Sequence, residues 1–195
     1  KCYGDKSNNM SSHADRHTGF RKMIDLSIKL HGNDRRIIET GTMREYDDWS
    51  GAGMSTVVFA NFIGRYGGSL KTVDINNDNL NMAADICRDV PNVEAVLSRG
   101  DDYLASSNEP IDLLYLDSVD CGIPTHSEDC LKELRAANHR LHDKSIVAID
   151  DTPWESGKWI GKGALAAPWL IENGWKLHYA GYQVIFTKSP ECESD

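Results

Sequence analysis

The chain has 195 residues, 40% of them hydrophobic and 26% charged, enough to bury a core as one compact domain and too apolar for a disordered tail. No apolar run approaches the ~20 residues of a membrane span. The balance of 21 basic to 30 acidic residues gives a formal charge of −9, which argues against gripping a nucleic-acid backbone and against anionic membranes, so neither partner is expected.

In chain order, residues 1–17 are polar and read as an arm. They carry no secretory signal, and a cytoplasmic location is expected. The chain opens at Lys1 rather than at Met, as a domain cut from a longer, multidomain protein would. Phe20, Met23, Ile24, Ile28 and Leu30 predict an amphipathic helix that ends at His31-Gly32. Ile37-Ile38 predicts a strand opening into Glu39-Thr-Gly-Thr. Residues 43–53 (MREYDDWSGAG) are too polar and Gly-rich for an element. Ser55 caps or opens a helix through Ile63. Further strands are expected at Leu70–Ile75, Val93–Leu97, Ile111–Asp117 and Ser145–Asp150, with helices at 80–90, 127–141 and 163–172 between or after them. Trp175–Tyr179 and Tyr182–Lys188 read as a closing hairpin turned at Ala180-Gly181. The domain thus spans 18–188, followed by a tail at 189–195.

Strands alternating with helices predict an α/β fold with a mostly parallel sheet and helices on both faces. In such sheets ligands sit beyond the carboxyl ends of the strands. Here those ends carry Glu39-Thr-Gly41-Thr42, Asp74, Gly100-Asp101, Asp117 and Asp150-Asp151, and this placement is the main functional signal. Five cysteines (Cys2, Cys87, Cys121, Cys130 and Cys192) show no zinc-site spacing and are expected as free thiols in a reducing compartment; a nucleophile at Cys121 is the alternative.

Gly51-Ala-Gly53, with Asp74 21 residues beyond, matches half of a dinucleotide fingerprint. Thr56 replaces its third glycine, and the preceding loop is too long for a tight pyrophosphate turn. A NAD oxidoreductase would also need a hydride-handling pair that the sequence lacks.

Taken together, IIETGT, GAGMST, TVDIN, SRGDD, LLYLDS and VAIDDT resemble, in order, the motifs of class I S-adenosylmethionine-dependent methyltransferases, over residues 20–188. The resemblance implies a Rossmann-like, seven-stranded sheet whose last two strands form an antiparallel hairpin. It also implies a cofactor site. Glu39, Gly41 and Thr42 would meet the methionine end. Gly51, Ser55 and Thr56 would supply the loop and helix amides for its carboxylate. Asp74 would take the ribose hydroxyls, Asp101 after Gly100 would lie near the adenine, and Ile75 and Asp117 would also bind the cofactor. The long loop 43–50 is similar to that of methyltransferases in glycan pathways, some fused to glycosyltransferases, including those of large algal viruses.

Asp117, Asp150 and Asp151 end two strands that this topology makes neighbours, and three converging carboxylates repel unless a cation or proton intervenes. A hard divalent ion such as Mg2+ is one neutraliser. The pattern resembles catechol-type and antibiotic-sugar O-methyltransferases, in which such positions hold a metal. The alternative is that Asp151 is itself the general base. Where catechol-type enzymes carry a Lys base, this chain has Asp120, a second candidate base, and His126 is a third. Trp154 and Trp159 follow the Asp pair and offer flat apolar faces to a sugar or aromatic acceptor. The expected activity is O-methylation of a small-molecule or glycan hydroxyl. A non-catalytic nucleotide-binding module is the alternative from another class.

Overall fold

The computed structural model describes residues 9–46 and 54–188, with side chains from Arg16 onward. The order of elements is α1 (Asn9–His31), β1 (Arg36–Thr40), α2 (Ser55–Tyr66), β2 (Ser69–Asp74), α3 (Asn77–Ile86), β3 (Val93–Leu97), α4 (Gly100–Ser106), β4 (Ile111–Leu116), α5 (His126–Ala137), β5 (Leu141–Ile149), β6 (Trp154–Glu155), β7 (Lys158–Trp159), α6 (Ala166–Glu172), β8 (Lys176–Ala180) and β9 (Val184–Thr187). Seven strands form one sheet in the order β3-β2-β1-β4-β5-β9-β8, while β6 and β7 form a separate two-stranded ribbon. The first five strands pair in parallel, and β9 joins β5 antiparallel. The expected α/β class, the mostly parallel sheet and the terminal antiparallel hairpin are all present.

The period of two along the strands builds both faces. Ile37, Leu113, Tyr115, Ile146 and Ala148 face the cluster under α1 and α2, with Met23, Leu26, Phe59 and Ile63. Ile38, Leu114, Leu116, Val147 and Ile149 face the cluster under α5 and α6, with Leu134, Ala137 and Leu170. All of β4 is buried, as a central strand covered on both faces must be.

Some boundaries differ from expectation. The first helix begins at Asn9, so residues 9–17 are helical rather than an arm, and residues 1–8 and 189–195 lie outside the described residues. Apolar periodicity is lost before Phe20, where Arg16 meets Asp150 through its guanidinium. The segment 163–172 is broken into a short turn at Gly161–Ala164 and α6, since Gly163 N donates to the Thr152 hydroxyl at 2.9 Å instead of continuing a helix. The turn Gly100-Asp101-Asp102 opens the seven-residue α4, too short for a periodic signal. Cys121 is disulfide-bonded, whereas Cys87 and Cys130 are free and buried. The expectation of free thiols is corrected at Cys121 and met at Cys87 and Cys130, while Cys2 and Cys192 lie outside the described residues. Cysteine usage therefore no longer points to a reducing compartment. No helix among the described residues is long and apolar enough to cross a membrane.

At the amino ends of the strands, Asp112 is a buried anchor. It accepts bonds from the Arg36 backbone N and Nε, both at 2.8 Å, from Arg36 Nη2 at 3.2 Å and from His142 Nε2 at 3.0 Å. Burial pushes this carboxyl up, but Arg36 and His31 outweigh it and hold it below the usual range. A depressed carboxyl contributes stability above its unfolded pKa of ~3.9 and loses it on acidification. Asp112→Ala is expected to cost about 3 kcal/mol in urea unfolding at pH 7, as loss of one partner of a buried pair does. The gap to the wild type should narrow as pH falls below ~4.

Candidate functional site

The sheet order reverses at β1, and a cleft of about 570 Å³, its open mouth included, lies at the carboxyl ends there. Gly41, Asp74, Ile75, Gly100 and Asp101 all line it, as the sequence predicted. Asp74 takes Thr42 N at 3.1 Å and Asn76 N at 2.7 Å, which fixes its carboxylate at the end of β2. Ile75 beside it is 72% exposed and forms an apolar lip. Gly41 has φ +83°, and a Cβ there would meet the Asp117 carbonyl oxygen at 2.5 Å, so only glycine lets β1 and β4 turn past one another.

The other predicted cofactor residues stand behind the cleft. Glu39 is fully buried and accepts from the hydroxyls of Thr56 (2.7 Å) and Thr72 (2.8 Å). Burial pushes it up to about 7, against those hydroxyls. Its Oε1 has no hydrogen-bond partner among the described residues. Thr56 also bonds Thr42 Oγ1 and Met43 N, each at 3.1 Å, tying α2 to the loop after β1. Ser55 opens α2, but the N-cap is Met54 and no side chain caps the helix. Gly51 lies outside the described residues. Asp101 is held by Arg99 at 3.1 Å and by Lys132; burial raises its carboxyl, yet the two cations keep it below its ordinary value.

Sequence reading missed Glu133, which is buried in the cleft wall and accepts from Thr40 Oγ1 at 2.8 Å. Burial pushes it up to about 7. A Cβ on Gly100 would come within 2.1 Å of Glu133 Oε1, so that glycine admits the acid.

Parallel register pairs Leu116 with Ile149, which sets Asp117 beside Asp150 at the next step. The predicted trio does converge: one ligand oxygen from each of Asp117, Asp150 and Asp151 lies within 4.8 Å of the others. Two cations that the sequence reading did not select already sit there. Lys162, itself buried, bonds Asp117 and lies 3.2 Å from Asp151 Oδ2. Arg16 of α1 bonds Asp150 Oδ2 at 2.9 Å, lies 3.6 Å from Asp151 Oδ1 and stacks 4.4 Å over the Tyr182 ring. Tyr182 donates to Asp151 and accepts from Arg16 at 2.9 Å. Against burial, which would lower it, the three carboxylates hold Lys162 above its ordinary value. Burial would raise Asp151, but Lys162, Tyr182 and Arg16 hold it below the carboxylate range. Burial, with Asp150 and Asp151, pushes Asp117 the other way. Four of the six carboxylate oxygens are engaged by these groups, and an Mg2+ ion bridging Asp117 and Asp151 would have to displace the Lys162 ammonium, so the trio as arranged does not fit that ion.

The signal for Lys162 was its flanking glycines. Gly161 has φ +71°, and a Cβ there would fall 1.9 Å from the Asp151 carbonyl oxygen. Lys162 N donates to that same oxygen at 3.1 Å. The Gly-Lys-Gly turn is thereby seated on the Asp150–Thr152 turn. Asp151 has φ +45°, a strained conformation for a residue with a side chain.

The remaining candidates separate. Asp120 forms a two-pronged, half-exposed pair with Arg44 at 2.8 and 3.0 Å, which lowers its pKa, and it stands apart from the Asp117–Asp150–Asp151 trio. His126 begins α5, with Nδ1 2.7 Å from the Ile123 carbonyl, and lines a narrow crevice with Asp117, Cys130 and Lys162. Trp154 is 54% exposed, whereas Trp159 is 9% exposed and belongs to the core cluster. As a second acceptor face Trp159 is corrected, because β7 turns it inward, where it supports Trp154 edge-on at 4.7 Å. The Cys121 sulfur is committed to its disulfide and is no nucleophile.

No curated protein matches the sequence. Among solved structures, an N-methyltransferase, NodS, from Bradyrhizobium japonicum aligns with TM-score 0.60 at 10% identity, over 93% of this chain and 99% of that one. An rRNA methylase from Streptococcus thermophilus aligns with TM-score 0.59 at 15% identity, over 90% and 96%. Aeropyrum pernix fibrillarin, in complex with S-adenosyl-L-methionine, aligns with TM-score 0.57 at 12% identity, over 86% and 75%. At these identities the likeness is one of fold, and it lends no support to the expected exclusion of nucleic acid. Residues 50–152, more than half of the chain, match the family model described as Methyltransferase domain. The chain therefore belongs to the methyltransferase domain family and has its Rossmann-like, class I fold.

Proposed function

We propose that this methyltransferase carries the methyl group of S-adenosylmethionine to a hydroxyl of a sugar in a glycan, with Asp151 accepting the proton. The observation that carries the reading is the continuity of two features. The cleft at Asp74 and the crevice that reaches Asp117 and Lys162 share Ser118, Val119 and Glu133 as walls. A donor seated with its ribose at Asp74 would point its reactive end along this shared wall toward Asp117, beside which Asp150 and Asp151 lie.

The residues present fit such a donor. Asp74 suits ribose hydroxyls, the exposed Ile75 suits a flat ring, and the uncapped first turn of α2 suits a carboxylate. When bound, S-adenosylmethionine supplies an electrophilic methyl on a sulfonium, and transfer to oxygen leaves the thioether S-adenosylhomocysteine.

The three carboxylates against Lys162 and Arg16 leave at most one surplus negative charge and no surplus positive one, which suits a sulfonium. As the acceptor oxygen bonds to carbon, its proton passes to Asp151. Tyr182 and Lys162 fix that carboxylate in one orientation, so the contribution of the chain is alignment and charge rather than a strong base. Trp154 offers an exposed indole face near this turn, fit for a pyranose ring. A second reading places the base at His126. It is favoured by that imidazole lining the crevice with Asp117 and Lys162.

Asp74→Ala is expected to weaken S-adenosylhomocysteine binding by ~10-fold or more by calorimetry, as loss of a charge-assisted hydrogen bond does. Unchanged affinity would remove Asp74 from the site, and NAD binding more tightly would overturn the cofactor. Asp151→Asn should lose ~100-fold or more in turnover while the donor still binds. That loss appearing in His126→Gln instead would favour the second reading. The acceptor class is tested with a radiolabelled methyl donor on glycosides, catechols, carboxylic acids and an RNA oligonucleotide. Label confined to the last three would sink the sugar assignment, and donor binding without label on any would favour a non-catalytic module.

A further inference from the structure

We infer that the carboxylate trio of this methyltransferase is neutralised by the chain itself, with the Lys162 ammonium standing where a divalent cation would otherwise bind. The argument begins with geometry. An ammonium has three donors. Those of Lys162 face Asp117 Oδ1, Asp151 Oδ2 and, at 3.5 Å, the Asp117 carbonyl oxygen. It thus bridges the ends of β4 and β5, as a shared metal ion would.

The backbone fixes this placement. The Gly161–Ala164 turn docks on the Asp150–Thr152 turn through Lys162 N to Asp151 O at 3.1 Å and Gly163 N to Thr152 Oγ1 at 2.9 Å. Neither flanking glycine tolerates a Cβ: one would fall 1.9 Å from Asp151 O, the other 2.3 Å from Thr152 Cγ2. Arg16 and Tyr182 close the other side on Asp150 and Asp151. Lys162 is only 3% exposed, so it cannot swing into solvent without dismantling the turn.

Charge supports the same conclusion. With Lys162 and Arg16 in place, the cluster carries at most one net negative charge. Adding a divalent ion would make it net positive beside a cationic methyl donor, where like charges at short range in a partly buried site repel strongly. The in-chain lysine leaves the cluster attractive to a sulfonium. This inference rests on the methyl-transfer reading for its purpose, but its test does not depend on any acceptor.

The experiment is calorimetric titration of the full chain with Mn2+, alone and with S-adenosylhomocysteine, together with thermal melts in Mn2+ or chelator. The wild type is expected to bind Mn2+ no more tightly than ~1 mM and to melt at the same temperature in either medium. Lys162→Ala, freed of its ammonium, should bind Mn2+ at least ~10-fold more tightly and melt higher in its presence, while Lys162→Arg should behave as the wild type. Micromolar Mn2+ binding by the wild type would overturn the inference, and that arm stands whether or not the variants fold. A folded Lys162→Ala that ignores Mn2+ would overturn the assignment of the position to a cation. Loss of sugar methylation with wild-type indifference to Mn2+ would count against the acceptor alone.

Discussion

Burying three carboxylates at the ends of two adjacent parallel strands is the constraint around which the carboxyl edge of this sheet is built. The Leu116–Ile149 register makes Asp117 and Asp150 neighbours, and the tight turn at Asp151 brings a third acid to the same place. Such a cluster is costly in a water-poor site unless compensating charge is fixed within a few ångströms. The chain draws that charge from distant segments. Lys162 is 45 residues from Asp117, and Arg16 is 134 residues from Asp150. The Gly161-Lys162-Gly163 turn, the approach of α1 and the seating of Tyr182 through Thr152 N to Tyr182 O at 2.9 Å all serve this compensation.

The donor side of the cleft follows another rule. Glu39 and Glu133 are buried without a cation, held by hydroxyls, and pushed up to about 7. Raised carboxyls bind protons more readily in the folded state, so their contribution to stability is fullest below the unfolded value and fades as pH rises through about 7. Glu39 Oε1 has no partner among the described residues. Such an unpaired buried oxygen is a stability cost.

Asp112, at the other end of the sheet, shows what an acid looks like when it serves only the fold. Arg36 reaches it through three nitrogens and His142 through a fourth, and its pKa falls. The two ends of β4 thus carry buried aspartates of opposite character: Asp112 satisfied and depressed, Asp117 shared and raised.

Local pattern alone settled much of this. Near-continuous apolar runs such as Ile111–Leu116 mark strands buried on both faces, their alternation with helices dictates a parallel sheet, and a parallel sheet puts its ligands at the carboxyl ends. Gly41, Asp74, Ile75, Gly100 and Asp101 were therefore legible as one site before any coordinates, and so was the convergence of Asp117 with Asp150 and Asp151. What neutralises those acids was not legible, because a charge partner is chosen by proximity in space, and neither Arg16, before the visible apolar periodicity, nor Lys162, in a Gly-rich loop, has a local pattern that points at an acid. Asp120 looked like a base because its spacing from Asp117 was right, and only the fold showed Arg44 holding both its oxygens. Trp159 looked like a partner of Trp154 for an acceptor until the β6–β7 turn buried it. Strand periodicity and turn chemistry act over a few residues and can be read from order alone. Ion pairing and burial depend on which distant segments meet, and that was decided by the tertiary structure.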